Sequence, residues 1–335
     1  MRIATWLHHV PATRATTDQI IEGLSKRGIN TLIVAFKNWT GPTFYPSAIA
    51  HTEEGFTDGG LYGHVVDACH RAGIECEAWI CTFPEAGRSR LIEEHPECRV
   101  LRADGTEYRI EGGNGVAWAC PANDLTQAYE AALCKEVLER YPKLSGLHLD
   151  YIRFPSTEAC YCKCCQDGFR RQYGMELVGD RSHGLGPEFD AFVRFRCGHI
   201  RRFVEKAHAV SSAAGVRLTA AVFPYYPSIM YDLGQDWADW SRAGIIDALY
   251  PMVYNRSDLM VERYTTSMAS LLRGTRCSLC TGLGLAPDIT ADEVRRQARA
   301  ALDAGSEGLV IFECHQLLAL PEDTLAPVTA HGPKR

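Results

Sequence analysis

At 335 residues, with 46% hydrophobic and 23% charged side chains, the chain can bury a large core, and one domain suffices to hold it. Its net charge of −6 gives no broad attraction to phosphate backbones or anionic lipid, so neither nucleic acid nor a membrane is an expected partner. Before the first strand-like segment there is no basic stretch with a long apolar run, and no uninterrupted apolar run of about 18 residues occurs anywhere. The expectation is a soluble, cytoplasmic protein.

In chain order, short apolar runs alternate with helical patterns. The first run is Arg2–Leu7, and the helix after it opens with Thr16 and Gln19 at capping-box spacing. Gly28 closes that helix before the run Asn30–Lys37. A long loop, 38–58, then leads to a helix closed by Gly73 and the run Ile74–Phe83. A second long loop, 84–123, and a helix precede Ser145–Ile152, which a third long loop, 155–187, follows. Gly215 precedes Arg217–Phe223, and Gly244 precedes Asp247–Tyr254. Cys277–Leu285 is followed by a helix whose start carries Thr290 and Glu293, again at capping-box spacing. Gly305 then precedes Gly308–Glu313. The five glycines stand where a helix must end in the left-handed conformation before the next strand. An open doubly wound sheet uses the same units, but eight repeats in a chain of this length point to a closed (β/α)8 TIM barrel. One domain is expected over residues 1–330, with a short polar tail at 331–335. The three long loops follow strands two, three and four, which places them on the face where such barrels build their sites.

Fourteen cysteines in a large chain without a secretion signal read as buried apolar side chains and metal ligands rather than disulfides. Cys160, Cys162 and Cys165 form C-x-C-x-x-C directly after strand four, and Cys120 ends the loop after strand three. Loops three and four are neighbours around a barrel, so the four thiolates can close one tetrahedral structural zinc site, with Cys164 the spare. Four reduced thiols without metal are the alternative. No organic cofactor is expected.

Alternation along strand four turns His148, Asp150 and Ile152 to one face, the barrel axis, and Leu147, Leu149 and Tyr151 to the other. A carboxylate at the carboxyl end of a barrel strand is costly to bury without a partner or a task, which singles out Asp150 as a catalytic group. A structural pair with Arg153 is the competing explanation. Glycosidic cleavage usually needs two carboxyls, and Glu313, where the chain leaves strand eight, is the second candidate; Glu85 and Asp236 compete with it. Aromatic and amide side chains at the strand ends suit a sugar, whose C–H faces pack on rings while its hydroxyls take hydrogen bonds. Trp39, Tyr45, Trp79, Trp118, Tyr225, Tyr226, Tyr254 and Asn255 fall there, and Tyr254 and His148 are expected to orient the substrate. The expected partner is a carbohydrate, with a homo-oligomer possible. His8, His9, His148 and His315 show no H-x-H or H-E-x-x-H spacing, which argues against a metal-dependent hydrolase or lyase.

The phrases Thr-Phe-Tyr-Pro-Ser after strand two, Gly-Leu-His-Leu-Asp-Tyr-Ile-Arg-Phe-Pro on strand four and Ala-Gly-Ile-Ile-Asp-Ala-Leu-Tyr-Pro-Met-Val-Tyr on strand six resemble the family-10-like glycosyl hydrolases over most of the chain. That resemblance implies a (β/α)8 fold, action on an oligosaccharide or polysaccharide, and Asp150 in the active site. Residues 117–174, with Cys120, Cys160, Cys162, Cys165, Phe169 and Tyr173-Gly174, resemble the zinc-clip segment of family-42 β-galactosidases. Those enzymes carry an Asn-Glu pair on strand four whose Glu is the general acid, and chitinase-like barrels also end that strand with a catalytic Glu. This chain has Tyr151-Ile152 there. A carboxylate mechanism centred on Asp150 is therefore expected, and a barrel that binds carbohydrate without cleaving it is the alternative.

Overall fold

The computed structural model describes residues 1–109, 117–178 and 186–329. Eight parallel strands close a barrel in sequence order: β1 (Arg2–Leu7), β2 (Thr31–Lys37), β3 (Glu75–Cys81), β4 (Gly146–Asp150), β5 (Arg217–Val222), β6 (Ala248–Pro251), β7 (Ser278–Gly284) and β8 (Gly308–Phe312). β1 closes on β8 with Arg2 opposite Gly308 and Thr5 opposite Ile311. The expected (β/α)8 fold is the observed one. Helices wrap the outside, and their buried residues, among them Leu24, Val66, Val137, Val204, Ala298 and Leu302, form the core against the outer faces of the strands. No helix among the described residues is long and apolar enough to cross a membrane. The tail at 331–335 lies outside the described residues.

The five glycines expected to end helices all have positive φ: 73° at Gly28, 70° at Gly73 and Gly215, 68° at Gly244 and 102° at Gly305. Thr290 and Glu293 form the expected reciprocal capping box. The first cap is corrected: Thr13, not Thr16, precedes helix Arg14–Lys26, and its hydroxyl accepts from the Thr16 backbone N–H at 3.1 Å. The Thr16 hydroxyl instead meets that of Thr13 at 2.8 Å.

Polar side chains cross the inside of the barrel in one connected chain. The Trp6 indole can only donate, so at 3.1 Å it fixes His148 Nε2 as an acceptor and leaves the proton on Nδ1. Nδ1 then faces the Thr219 hydroxyl at 2.8 Å, and that hydroxyl donates to Glu77 at 2.8 Å. Glu77 also accepts from the Tyr250 hydroxyl at 3.0 Å and from Arg2 at 2.9 Å. Burial pushes the pKa of His148 down to about 3, so it stays neutral. Gly282 makes room for this packing, because a Cβ there would sit 2.6 Å from the Pro251 carbonyl oxygen and 3.3 Å from the Trp6 ring.

A second polar cluster ties the loops to the barrel. Lys37, the last residue of β2, is fully buried, with Nζ 2.6 Å from Glu85 and 2.8 Å from Glu130. It also donates to the carbonyls of Cys81 and Thr82. Burial opposes the lysine charge, but Glu130 and Glu85 outweigh it and raise its pKa. Burial raises the pKa of Glu130 despite the pull of Lys37. β2, the loop after β3 and helix Asp124–Arg140 all meet at this lysine. Lys37→Met should therefore cost about 3–5 kcal/mol in urea unfolding, the usual loss when one partner of a buried ion pair is removed. Adding Glu85→Gln should return part of that loss, because the orphaned acid disappears with it.

Candidate active site

β4 ends at Asp150, whose carbonyl accepts from the Thr82 N–H at 2.9 Å. The next residue, Tyr151, has φ 53°, the one positive φ outside glycine among the described residues. A left-handed conformation in a bulky residue costs on the order of 1–3 kcal/mol and tends to persist where function needs it. Here the turn brings the Tyr151 N–H to Asp150 Oδ1 at 2.6 Å, which fixes the carboxyl. It also corrects the strand-four expectation: Tyr151 does not point outward but lines the mouth, while Ile152 is buried in the core. The period of two fails because the chain has already left the ladder.

Above Trp6 opens a cavity of about 200 Å3, lined by Trp6, His8, Trp79, Asp150, Tyr151 and Arg153 and closed by Ala221, Phe223, Met252, Tyr254 and Phe312. Asp150 is 8% exposed, and burial lifts its pKa from 3.8 to about 6, against the opposing pull of the Tyr151 N–H, Arg153 and the Trp79 indole. The buried Trp79 N–H makes no well-aligned hydrogen bond among the described residues. Tyr254 stacks on Phe312 at 5.3 Å, and Gly284 lets its ring approach, since a Cβ there would lie 2.9 Å from it. Burial and the nearby Asp150 keep the Tyr254 phenol protonated. His8 packs on Trp79 at 5.1 Å and on Phe312 at 5.4 Å. Burial lowers its pKa while the Glu313 carboxylate raises it, and burial wins.

The structure thus gathers Asp150, Arg153, Trp79 and Tyr254 around one cavity. The other candidates stand elsewhere. Glu313 caps helix Cys314–Ala319 by accepting from the Gln316 N–H at 3.1 Å; it acts electrostatically on His8 but does not line the cavity. His148 lies a layer below, bound between Trp6 and Thr219. Glu85 is sealed against Lys37. Asp236 caps helix Trp237–Ala243 and accepts from the Tyr226 hydroxyl. Tyr45 is fully buried with its hydroxyl on Glu136. Asn255 turns its side-chain oxygen to the Ser257 N–H. Trp39 packs against the core, and Tyr225 is exposed at the rim, stacked on Phe223 at 6.2 Å. His8, Trp6, Phe223, Met252 and Phe312 were not singled out as site residues from the sequence. For His8 and Phe312 the signal is there: each sits at or just past the last residue of a strand.

Beside the mouth, Cys120, Cys160, Cys162 and Cys165 are all buried, and their Sγ atoms lie within 4.8 Å of one another. Cys120 is 3.4 Å from Cys165 and 3.6 Å from Cys162. Tetrahedral zinc at about 2.3 Å from each sulfur sets the S···S edge at about 3.8 Å, so the donor set fits a metal such as zinc. The Cys162 N–H also donates to Cys160 Sγ at 3.4 Å. Cys164 turns away, toward the Ala122 carbonyl.

Among solved structures, the α-L-fucosidase isoenzyme 2 of Paenibacillus thiaminolyticus matches with a TM-score of 0.69 at 15% identity, over 98% of this chain and 50% of that one. The catalytic domain of a β-amylase from Paenibacillus polymyxa matches with a TM-score of 0.71 at 11% identity, over 100% and 99%. A β-galactosidase from Halorubrum lacusprofundi matches with a TM-score of 0.68 at 15% identity, over 93% and 52%. This chain thus spans about half the length of the fucosidase and the galactosidase. At such identities these likenesses show the fold. No curated protein sequence matches the chain. The family model for Glycosyl hydrolase-like 10 matches residues 2–285, and the chain belongs to that family.

Proposed function

We propose that the protein hydrolyses a glycosidic bond, with Asp150 as the acid that protonates the leaving oxygen. The observation carrying this is a strand-end carboxyl in an aromatic-walled cavity with its pKa lifted to about 6, which lets it hold a proton near neutrality. Membership in a glycosyl hydrolase-like family supports the reaction class. A cavity of about 200 Å3 is smaller than the 300–1,000 Å3 or so typical of drug-sized ligands, so it suits one sugar ring, with the remainder of a chain outside over Tyr225. Asp150 is the one carboxylate among the described residues lining it. The second group the reaction needs is then His8, neutral and backed by Glu313, which serves as base for water.

Both groups set the pH profile. His8 must be unprotonated, so kcat/KM falls on the acid side, and Asp150 must be protonated, so it falls above about pH 6. The expected result on a panel of aryl glycosides and oligosaccharides is turnover with a mildly acidic optimum. Asp150→Asn should lower kcat/KM by about 10²–10⁴-fold, the usual contribution of a general acid. Binding without turnover by the wild type across the panel would instead assign a carbohydrate-binding barrel.

Holding Asp150 in place costs stability. Its pKa is 3.8 when unfolded and about 6 when folded, so the native chain binds the extra proton between those values. Stability from this group is therefore highest at low pH, falls from about pH 4 to about pH 6 and stays lost above. Asp150→Asn should stabilise the protein by up to about 3 kcal/mol at pH 8 and by little at pH 4, read from denaturant unfolding at the two pH values.

The four-cysteine cluster is proposed to hold structural zinc that pins the loop after β3 to the loop after β4. Four thiolates fill a tetrahedral shell, so no position remains for substrate. Metal analysis of the purified protein should find about one zinc per chain, retained in Cys164→Ser and lost in Cys160→Ser. Less than half an equivalent in the wild type would remove the clip.

A further inference from the structure

Arg153 is the one strongly basic side chain among the described residues lining the cavity. Its guanidinium carbon lies 5.0 Å from the Trp118 ring, 5.3 Å from Tyr151 and 5.3 Å from Phe223. Three rings hold the plane in place, a role that guanidinium fills better than ammonium. Its hydrogen bonds do not use up the group. Nη1 donates to the carbonyls of Phe154 and Pro155 at 3.3 and 3.4 Å, both long, and no acceptor among the described residues takes Nε or Nη2. No carboxylate among the described residues lies within ion-pair distance of it, whereas Arg2, Arg201 and Arg217 each have one. Asp150, the nearest acid, spends a hydrogen-bonding site on the Tyr151 N–H instead. A part-buried charge is favoured by a paired anion. Asp150 acts on Arg153 electrostatically without pairing with it, which leaves the fork free to take a ligand anion.

The segment is also held firmly. The Phe154 N–H donates to the Leu233 carbonyl at 2.9 Å, and Arg196 donates to the Ser156 carbonyl at 2.6 Å from below. Cys160, four residues later, anchors the same loop in the thiol cluster. The planar fork is thus presented to the cavity on rigid support, as recognition of a planar anion requires.

We infer that the sugar taken by this cavity is acidic, a glycosiduronate whose ring carboxylate pairs with the Arg153 guanidinium. The inference rests on reading the cavity as a sugar site, and it specifies which class of sugar. Below about pH 6, where Asp150 holds its proton, the guanidinium faces such a ligand as a full positive charge with no carboxylate competing for it among the described residues lining the cavity. A neutral hexose would leave the cation uncompensated, so it binds less well.

The test compares binding of D-glucuronate, D-galacturonate and D-mannuronate with binding of D-glucose, D-galactose and D-mannose by calorimetry on the full chain, alongside turnover of the corresponding aryl glycosides. At least one uronate should bind ten-fold or more tightly than its neutral parent, with an affinity that falls as salt rises. Arg153→Met should erase the preference, while Arg153→Lys, which keeps stem and charge but loses the fork, should keep part of it and melt close to the wild type. If Arg153→Met does not fold, the Arg153→Lys variant and the uronate-to-neutral ratio of the wild type decide. No uronate binding better than its neutral parent, or a preference unchanged in Arg153→Lys and Arg153→Met, overturns the proposal. Uronate binding through Arg153 with no glycoside cleaved would sink the hydrolase reading alone. Cleavage of neutral glycosides with uronides ignored would sink this one alone.

Discussion

The chain of hydrogen bonds from Trp6 through His148 and Thr219 to Glu77 and Arg2 decides what the barrel can hold. Each donor and acceptor in it has one assignable direction, because the indole can only give and the Glu77 carboxylate can only take. That fixes His148 as a neutral Nδ1–H tautomer and leaves its ring stacked on Tyr250 at 5.2 Å. The network seals the barrel floor with polar groups that satisfy one another, so no ligand or water is needed to complete it. Asp150, one inward position further along β4, therefore begins the cavity rather than joining the core.

The cost of that position is visible in the backbone. β4 stops where the ladder could have continued, and Tyr151 takes a conformation unfavourable for its type. In exchange, one residue supplies a hydrogen bond to Asp150, a wall of the cavity and a face of the cage around Arg153. Strain, a raised carboxyl pKa and a guanidinium without an ion-pair partner among the described residues fall within four consecutive residues. Structural packing gives no reason to concentrate three penalties there, whereas a site that must receive a charged or polarised substrate does.

The barrel was legible because its determinants are local. Apolar runs mark the strands, and a glycine at positive φ marks five of the helix ends, whatever the rest of the chain does. Arg2–Leu7 agrees with the observed strand, but most other expected limits run long, most of all Asp247–Tyr254 against the observed Ala248–Pro251, since an apolar residue just past a strand still has loops to pack under. The thiol cluster was legible too, from spacing plus the adjacency of loops three and four. The cavity was only half readable. Asp150, Trp79, Arg153 and Tyr254 lie on or just beyond strands and inherit their direction from the barrel. Tyr45, Asn255, Asp236 and Glu313 belong to turns and helix starts, where caps and backbone donors claim the side chain. Nothing in residue order separates a carboxylate that caps a helix from one that faces a substrate.

That difference shapes the chemistry. An acid recruited as a cap, as Glu313 is by the Gln316 N–H, has one oxygen committed and its position set by a helix rather than by the cavity. It can still act through a neighbour, and His8 stands between it and the mouth, packed on Trp79 and Phe312. Compared with barrels that place a second acid directly on strand four, the proposed scheme uses in place of a carboxylate an imidazole that works only while neutral. With Asp150 proposed to work only while protonated, the two requirements are met together below about pH 6, down to the point where His8 takes up a proton. The replacement of a strand-four Glu by Tyr151-Ile152 is therefore consistent with an altered division of labour. In the proposed scheme Asp150 holds the proton and His8, just past β1, is the base, while Tyr151 joins the aromatic cage around Arg153.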